Sequence, residues 1–191
     1  MIEAVTSLFS AFGLSASAGL NAYLPLLIVA LAARFTDWFK LAPPFDALTS
    51  PWAIGVLVVL LLIEFFADKA PAVNHLNDAI QTFVRPTAGA ILFAASTQTA
   101  IHVHPVFMII LGLLVAGTVH TAKSAIVRPA VTATTAGIGN TPVSILEDIV
   151  AAVISILAIV LPVLISLLMI LLTAFIIWWL WRRRAARPAR A

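Results

Sequence analysis

Residues 143–181 read VSILEDIVAAVISILAIVLPVLISLLMILLTAFIIWWLW, 39 residues in which Glu147 and Asp148 are the only charges. As one straight helix this stretch reaches roughly 58 Å, nearly twice a hydrocarbon core of about 30 Å. A run that long and that apolar has no place in a water-soluble core. The simplest reading is two membrane crossings, 143–160 and 162–181, that fold back around Pro162.

The rest of the chain has the same texture. Of 191 residues, 62% are hydrophobic and 10% are charged, against roughly 25% charged in a soluble domain. The mean hydropathy is +1.11. Such a composition cannot cover a water-facing surface, so the chain is read as all-α, a polytopic transmembrane helical bundle of about six crossings. Residues 1–181 form a single transmembrane domain, with crossings at 5–33, 52–67, 86–101, 105–121, 143–160 and 162–181. Between them, Val73, Leu76, Ile80 and Phe83 share one helical face while Asn74, His75, Asn77, Asp78 and Gln81 fill the others. That pattern predicts an interfacial amphipathic helix over 72–83, closed by Arg85-Pro86.

Cysteine is absent, which removes disulfides, thiolate nucleophiles and cysteine metal sites. Residues 182–191 carry Arg182, Arg183, Arg184, Arg187 and Arg190 directly after Trp178, Trp179 and Trp181. This combination reads as an aromatic belt followed by a basic cytoplasmic tail that meets anionic lipid, not as a nucleic-acid-binding segment. Lys69, Arg85, Lys123, Arg128 and the tail fall on one face of a six-crossing drawing, with Arg34 and Lys40 on the other. The positive-inside rule then predicts a multi-pass protein of the cell (inner) membrane with both termini cytoplasmic.

The stretch 5–33 is too long for one crossing, roughly 43 Å as a straight helix. It contains Gly13-Leu-Ser15-Ala-Ser17-Ala-Gly19-Leu-Asn21-Ala-Tyr23-Leu-Pro25, where glycine permits close approach and the hydroxyls and amide can satisfy freed backbone groups. A break is expected there. A second run, Thr132-Ala-Thr134-Thr135-Ala-Gly137-Ile-Gly139-Asn140-Thr141-Pro142, repeats the order of hydroxyls, glycine, asparagine and proline. Val84-Arg85-Pro86 likewise returns as Val127-Arg128-Pro129. Paired interruptions of this kind point to a transporter site built from broken helices. The same small residues also serve simple helix packing, including contacts within a homo-oligomer.

Ionisable residues within apolar segments are functional candidates by default. Substrate- or ion-binding candidates are Ser15, Ser17, Asn21, Glu64, Thr132, Thr134, Asn140, Glu147 and Asp148. Candidates for charge pairing are Asp68, Lys69, Arg85, His120, Lys123 and Arg128, either as a proton, cation or substrate relay or as a static staple. Lys69, Arg85 and Arg128 also suit headgroup-level anchors. No cofactor is expected, and no metal: His102-Val103-His104 offers two ligands and nothing nearby completes a set of four. No phosphate loop, nucleophile elbow or zinc-protease signature is present. An intramembrane lipid enzyme using Glu64, His120 and Asp148 is therefore the least favoured reading.

The two small-residue motifs, Gly13 to Leu27 and Thr132 to Val143 with Glu147 after it, resemble the bacterial integral membrane proteins grouped as domain of unknown function 4126. The resemblance covers about residues 8–172. One departure is the residue inserted between Asn140 and Pro142, where the family pattern suggests an Asn-Pro step; another is the Arg tail. The resemblance implies a membrane fold and transfers no catalytic residue. The leading expectation is a small transporter, permease or lipid-translocating protein acting on a small molecule or lipid. The alternative is a non-catalytic membrane scaffold or subunit of a larger complex.

Overall fold

The computed structural model describes residues 2–37, 39–69, 71–97, 104–160 and 162–185. Among these the chain is helical with connecting turns. The long first stretch is broken as the sequence predicts. Helix α1 (Ile2–Leu20) ends at the asparagine and α2 (Tyr23–Phe35) begins two residues beyond it. A loop with a short 3-10 turn (Phe45–Thr49) leads to α3 (Pro51–Lys69), which is followed almost at once by α4 (Pro71–Thr97).

Helix α4 corrects one expectation. Residues 72–83 do not form a separate interfacial helix; they are the first half of α4, which continues through Pro86. A proline inside a helix removes one backbone hydrogen bond and crowds the preceding turn. In that turn the Thr87 hydroxyl donates to the Phe83 carbonyl four residues back at 2.7 Å. The polar side of this half also meets neighbouring helices, where an interfacial helix would turn it to water. Asn77, Gln81 and Arg85, spaced by four, point inward, while Ile80 and Phe83 are exposed.

Helix α5 (Pro105–Ala122) is capped by His104, whose Nδ1 accepts from the Val106 amide; His102 lies outside the described residues. After α5 the chain makes a π-helical turn (Lys123–Val127) and then α6 (Arg128–Thr135). A tight turn with Ala136 and Gly137 at positive φ leads to α7 (Asn140–Val160). Helix α8 (Pro162–Ala185) takes in the first residues of the Arg run. Arg182 stacks over the Trp178 ring at 5.3 Å, and 186–191 lie outside the described residues.

Helix α1 occupies the middle of the bundle, packed against α4, α5, α7 and α8, while α2 packs on α3 and α7. Helices α4 and α5 are antiparallel neighbours in close contact. A Cβ on Gly112 would collide with the Gly89 carbonyl and the Ala90 backbone, and one on Gly89 would collide with Ala116. The small-residue serines serve this packing. Ser15 donates to Gly89 O at 2.8 Å, Ser17 donates to Ala151 O at 2.8 Å and Ser10 donates to Ala158 O. These bonds between helices make them a single unit, as expected where hydroxyls replace hydrophobic attraction as the cohesive element.

Candidate functional site

The chain is inside-out by the standard of a protein in water. Val56, Val59, Ile63 and Phe66 form an exposed apolar stripe on α3, while Glu64 and Asp68 on the opposite side are 1% and 4% exposed. Arg85 is 0% exposed, and His120, Lys123, Arg128, Glu147 and Asp148 are also buried. Charged side chains leave solvent only when paired and hydrogen-bonded. Here they find one another.

Asp68 is the hub. Its Oδ2 meets Arg128 Nη2 at 2.9 Å and Lys123 Nζ at 3.5 Å, accepts from Ser144 Oγ at 3.2 Å, and lies 3.7 Å from Arg85. Its Oδ1 accepts from Asn77 Nδ2 at 2.7 Å. Glu147 Oε2 bridges the same two cations, 2.9 Å from Lys123 and 3.4 Å from Arg128. Glu64 Oε1 accepts from Arg85 Nη2 at 3.0 Å and Nε at 3.3 Å. The two Arg-Pro dipeptides therefore deliver their arginines to one network, Arg85 from α4 and Arg128 from the start of α6.

The π turn is what permits the second arginine to join. In a regular α-helix, residues five apart lie about 140° apart around the axis, so Lys123 and Arg128 would diverge. The wider turn between them closes with the Arg128 amide bonded to Lys123 O, and both side chains face Asp68 and Glu147. Such single-turn insertions recur at functional positions in helices.

His120 joins as a neutral hydrogen-bonding group. Arg85 Nη1 lies 3.2 Å from its Nδ1, and a guanidinium can only donate, so Nδ1 accepts and the hydrogen sits on Nε2. That nitrogen is 3.2 Å from Thr82 Oγ1, which itself donates to Asp78 O at 2.8 Å. His120 was expected as a charge partner; it serves instead as an acceptor for Arg85.

The network is tied to the broken helix. Lys123 Nζ donates to Leu20 O at 2.9 Å, the last carbonyl of α1. Glu64 Oε1 accepts from the Ala22 amide at 3.4 Å. Asn21 Nδ2 donates to Asp148 Oδ1 at 2.9 Å, and its Oδ1 accepts from the Leu24 amide at 2.9 Å. The backbone groups released by the break are thus held by ionisable side chains.

Of the candidates read from the sequence, Asn21, Glu64, Asp68, Arg85, His120, Lys123, Arg128, Glu147 and Asp148 converge here. Arg85 and Arg128 are buried network members, not headgroup anchors. Lys69 ends α3, and its side chain lies outside the described residues. Ser15 and Ser17 face neighbouring helices, with Ser17 also 2.7 Å from Ser155. The second small-residue run stays apart: Thr132 and Thr134 are exposed, Thr132 bonds Asn140 at 2.9 Å, and Thr134 donates to Ala130 O at 2.8 Å. Asn140 starts α7, whereas Asn21 meets that helix eight residues later, about 12 Å along its axis. Asn77, Gln81 and Ser144 were missed as site residues. The signal for Asn77 and Gln81 was the inward spacing of four that continues to Arg85. Among the described residues no group of three or more histidine or acidic side chains is arranged to hold a metal ion.

Apolar faces turned outward around a buried charged network define an α-helical membrane protein, in which the bilayer takes the place of water as solvent. Helices Pro51–Asp68 and Asn140–Val160 and the stretch Pro105–Thr135 are each long and apolar enough to cross. The chain belongs to the family described as Domain of unknown function (DUF4126), which it matches over residues 8–182. No curated protein and no solved structure matches it.

Proposed function

We propose that the protein is a small transporter, permease or lipid-translocating protein of the cell (inner) membrane, non-enzymatic, with both termini cytoplasmic. The observation that carries this reading is the coupling of a helix break to ionisable side chains: Lys123 on Leu20 O and Glu64 on the Ala22 amide. Discontinuous helices whose free ends are met by charge are how transport proteins bind ions and substrates within the bilayer. A ligand that changes the charge of this network also changes what holds the break, so binding and helix geometry are linked. At 191 residues the chain is small for this task, and a homo-oligomer is part of the proposal. The Arg tail, following its tryptophans, is assigned to anionic lipid.

A second reading is a membrane scaffold or subunit of a larger complex. It is favoured by the serines of α1, whose hydroxyls are engaged with carbonyls of α4 and α7 as packing groups. Native mass spectrometry of gently extracted protein separates the two. A defined small molecule or non-bulk lipid, retained by the wild type and lost on Glu147→Gln, supports transport. A ligand-free protein carrying a stoichiometric partner chain overturns it in favour of the scaffold.

A further inference from the structure

We propose that Glu64 is a proton-binding site whose bound hydrogen is accepted by Gln81; its use as the coupling site of transport rests on the reading above, its existence does not.

Glu64 is a carboxylate of the network with a buried oxygen to spare. Its Oε1 takes both Arg85 contacts and the Ala22 amide, whereas Oε2 is buried without a hydrogen-bond partner among the described residues. Asp68, in contrast, has partners on both oxygens. Among the described residues, Gln81, 2% exposed, has no partner for its Oε1 and Asp78 none for its Oδ1. These atoms can only accept, since an ionised carboxylate and an amide oxygen carry no hydrogen. What they lack is a donor.

The register of α3 and α4 brings two of these residues, Glu64 and Gln81, to the same level of the helix pair. The helices run antiparallel across a short connection, and Asp68 pairs with Asn77. One turn back along α3 is Glu64; one turn on along α4 is Gln81. The next residue of the same stripe, Arg85, also reaches Glu64. Gln81 is therefore bracketed between two residues that contact α3. A single proton on Glu64 Oε2 makes one new O–H bond, gives that oxygen a hydrogen to donate and gives Gln81 Oε1 a donor to receive.

Charge points the same way. Among the described side chains, Glu64, Asp68, Glu147 and Asp148 are buried with Arg85, Lys123 and Arg128, four carboxylates to three fixed cations. Excess charge in a desolvated network is costly, and neutralising Glu64 balances the set. Around Glu64, α3 contributes Asp68, α4 contributes Arg85 and the half-buried Asp78, and the α5 end contributes His120 and Lys123. Arg128 on α6 and Glu147 and Asp148 on α7 lie beyond Asp68, and Tyr23 on α2 is close enough for electrostatic interaction. His120 is a poor alternative seat, because its acceptor nitrogen already faces the Arg85 guanidinium. Protonation also weakens the grip of Glu64 on Arg85 and on the Ala22 amide, which ties proton occupancy to the helix break.

The test is infrared difference spectroscopy of the full chain in a lipid film, stepped between high and low pH. The wild type should show a protonated-carboxyl carbonyl band that is lost in Glu64→Gln and kept in Glu147→Gln. Gln81→Leu, which leaves every ion pair in place, should shift the band by removing its acceptor. Persistence of an unchanged band in Glu64→Gln overturns the assignment. Should Glu64→Gln fail to fold, an unshifted band in Gln81→Leu does so as well. Sodium chloride exchanged for choline chloride at fixed pH should leave the band intact; displacement by sodium overturns the proton as the ligand. No substrate is needed, so a Glu64 band in protein that moves no solute retains the proton site and removes only the transport reading.

Discussion

Asn21 Nδ2 donates to Asp148 Oδ1 across 2.9 Å and 127 residues of sequence, while the other end of the same amide receives the Leu24 amide. One side chain thus starts α2 and fastens it to α7. Replacing Asn21 by leucine, of similar size, removes a helix cap of about 1 kcal/mol. It also withdraws a donor from a buried carboxylate, a further loss of roughly 1–3 kcal/mol. The variant should fold with a lowered midpoint in thermal unfolding followed by tryptophan fluorescence. In the transport reading it also loses flux.

Asp68 should be the least replaceable residue of the network. Asp68→Ala leaves Arg128 and Lys123 buried with Glu147 as their shared carboxylate partner, and breaking such a pair costs roughly 3–5 kcal/mol. Ser144→Ala removes one hydrogen bond to the same oxygen and should cost about 1 kcal/mol. Equal losses in denaturant titrations of the two variants would sink the hub assignment.

Lys123 and Glu147, 2.9 Å apart, should be energetically coupled. A double-mutant cycle with Lys123→Met and Glu147→Gln should give an interaction energy of roughly 0.5–3 kcal/mol. Additive losses would mean that the contact does not bind the π turn to α7.

Helix packing offers a control that does not involve charge. Gly112→Ala forces a Cβ into the Gly89 carbonyl and the Ala90 backbone, and overpacking of that kind costs roughly 1–3 kcal/mol. Gly55 has open space around it, so Gly55→Ala should be neutral or slightly stabilising through helix propensity. The two thermal midpoints, measured in one detergent, should separate in that order.

Orientation is tested with reporters fused to the C-terminus. Arg85, Lys123 and Arg128 are buried pairs, so they no longer weigh as free anchors; Lys69 and the Arg tail carry the positive-inside expectation. A cytoplasmic reporter should be active at the C-terminus. Accessibility of the tail only from outside intact cells overturns the orientation.

Much of this molecule was legible in one dimension. Hydrophobic length and the scarcity of charge determined a helical membrane protein, because a span's minimum length follows from bilayer thickness. Glycine, serine and asparagine ahead of Pro25 marked the break, because glycine permits an irregular backbone and hydroxyl and amide side chains can bond backbone groups released inside a bundle. The isolated charges of the apolar segments named most of the site. Tertiary structure alone decided depth and partnership. Asn77, Gln81 and Arg85 have the same sequence pattern whether their stripe faces water or a neighbouring helix, and only the packing of α3 on α4 turned it inward. Nor does spacing show that Lys123 and Arg128 share a side, since that depends on one π turn inserted between α5 and α6. Periodicity fixes which residues lie on a common face of a regular helix; what that face meets is set by the other helices.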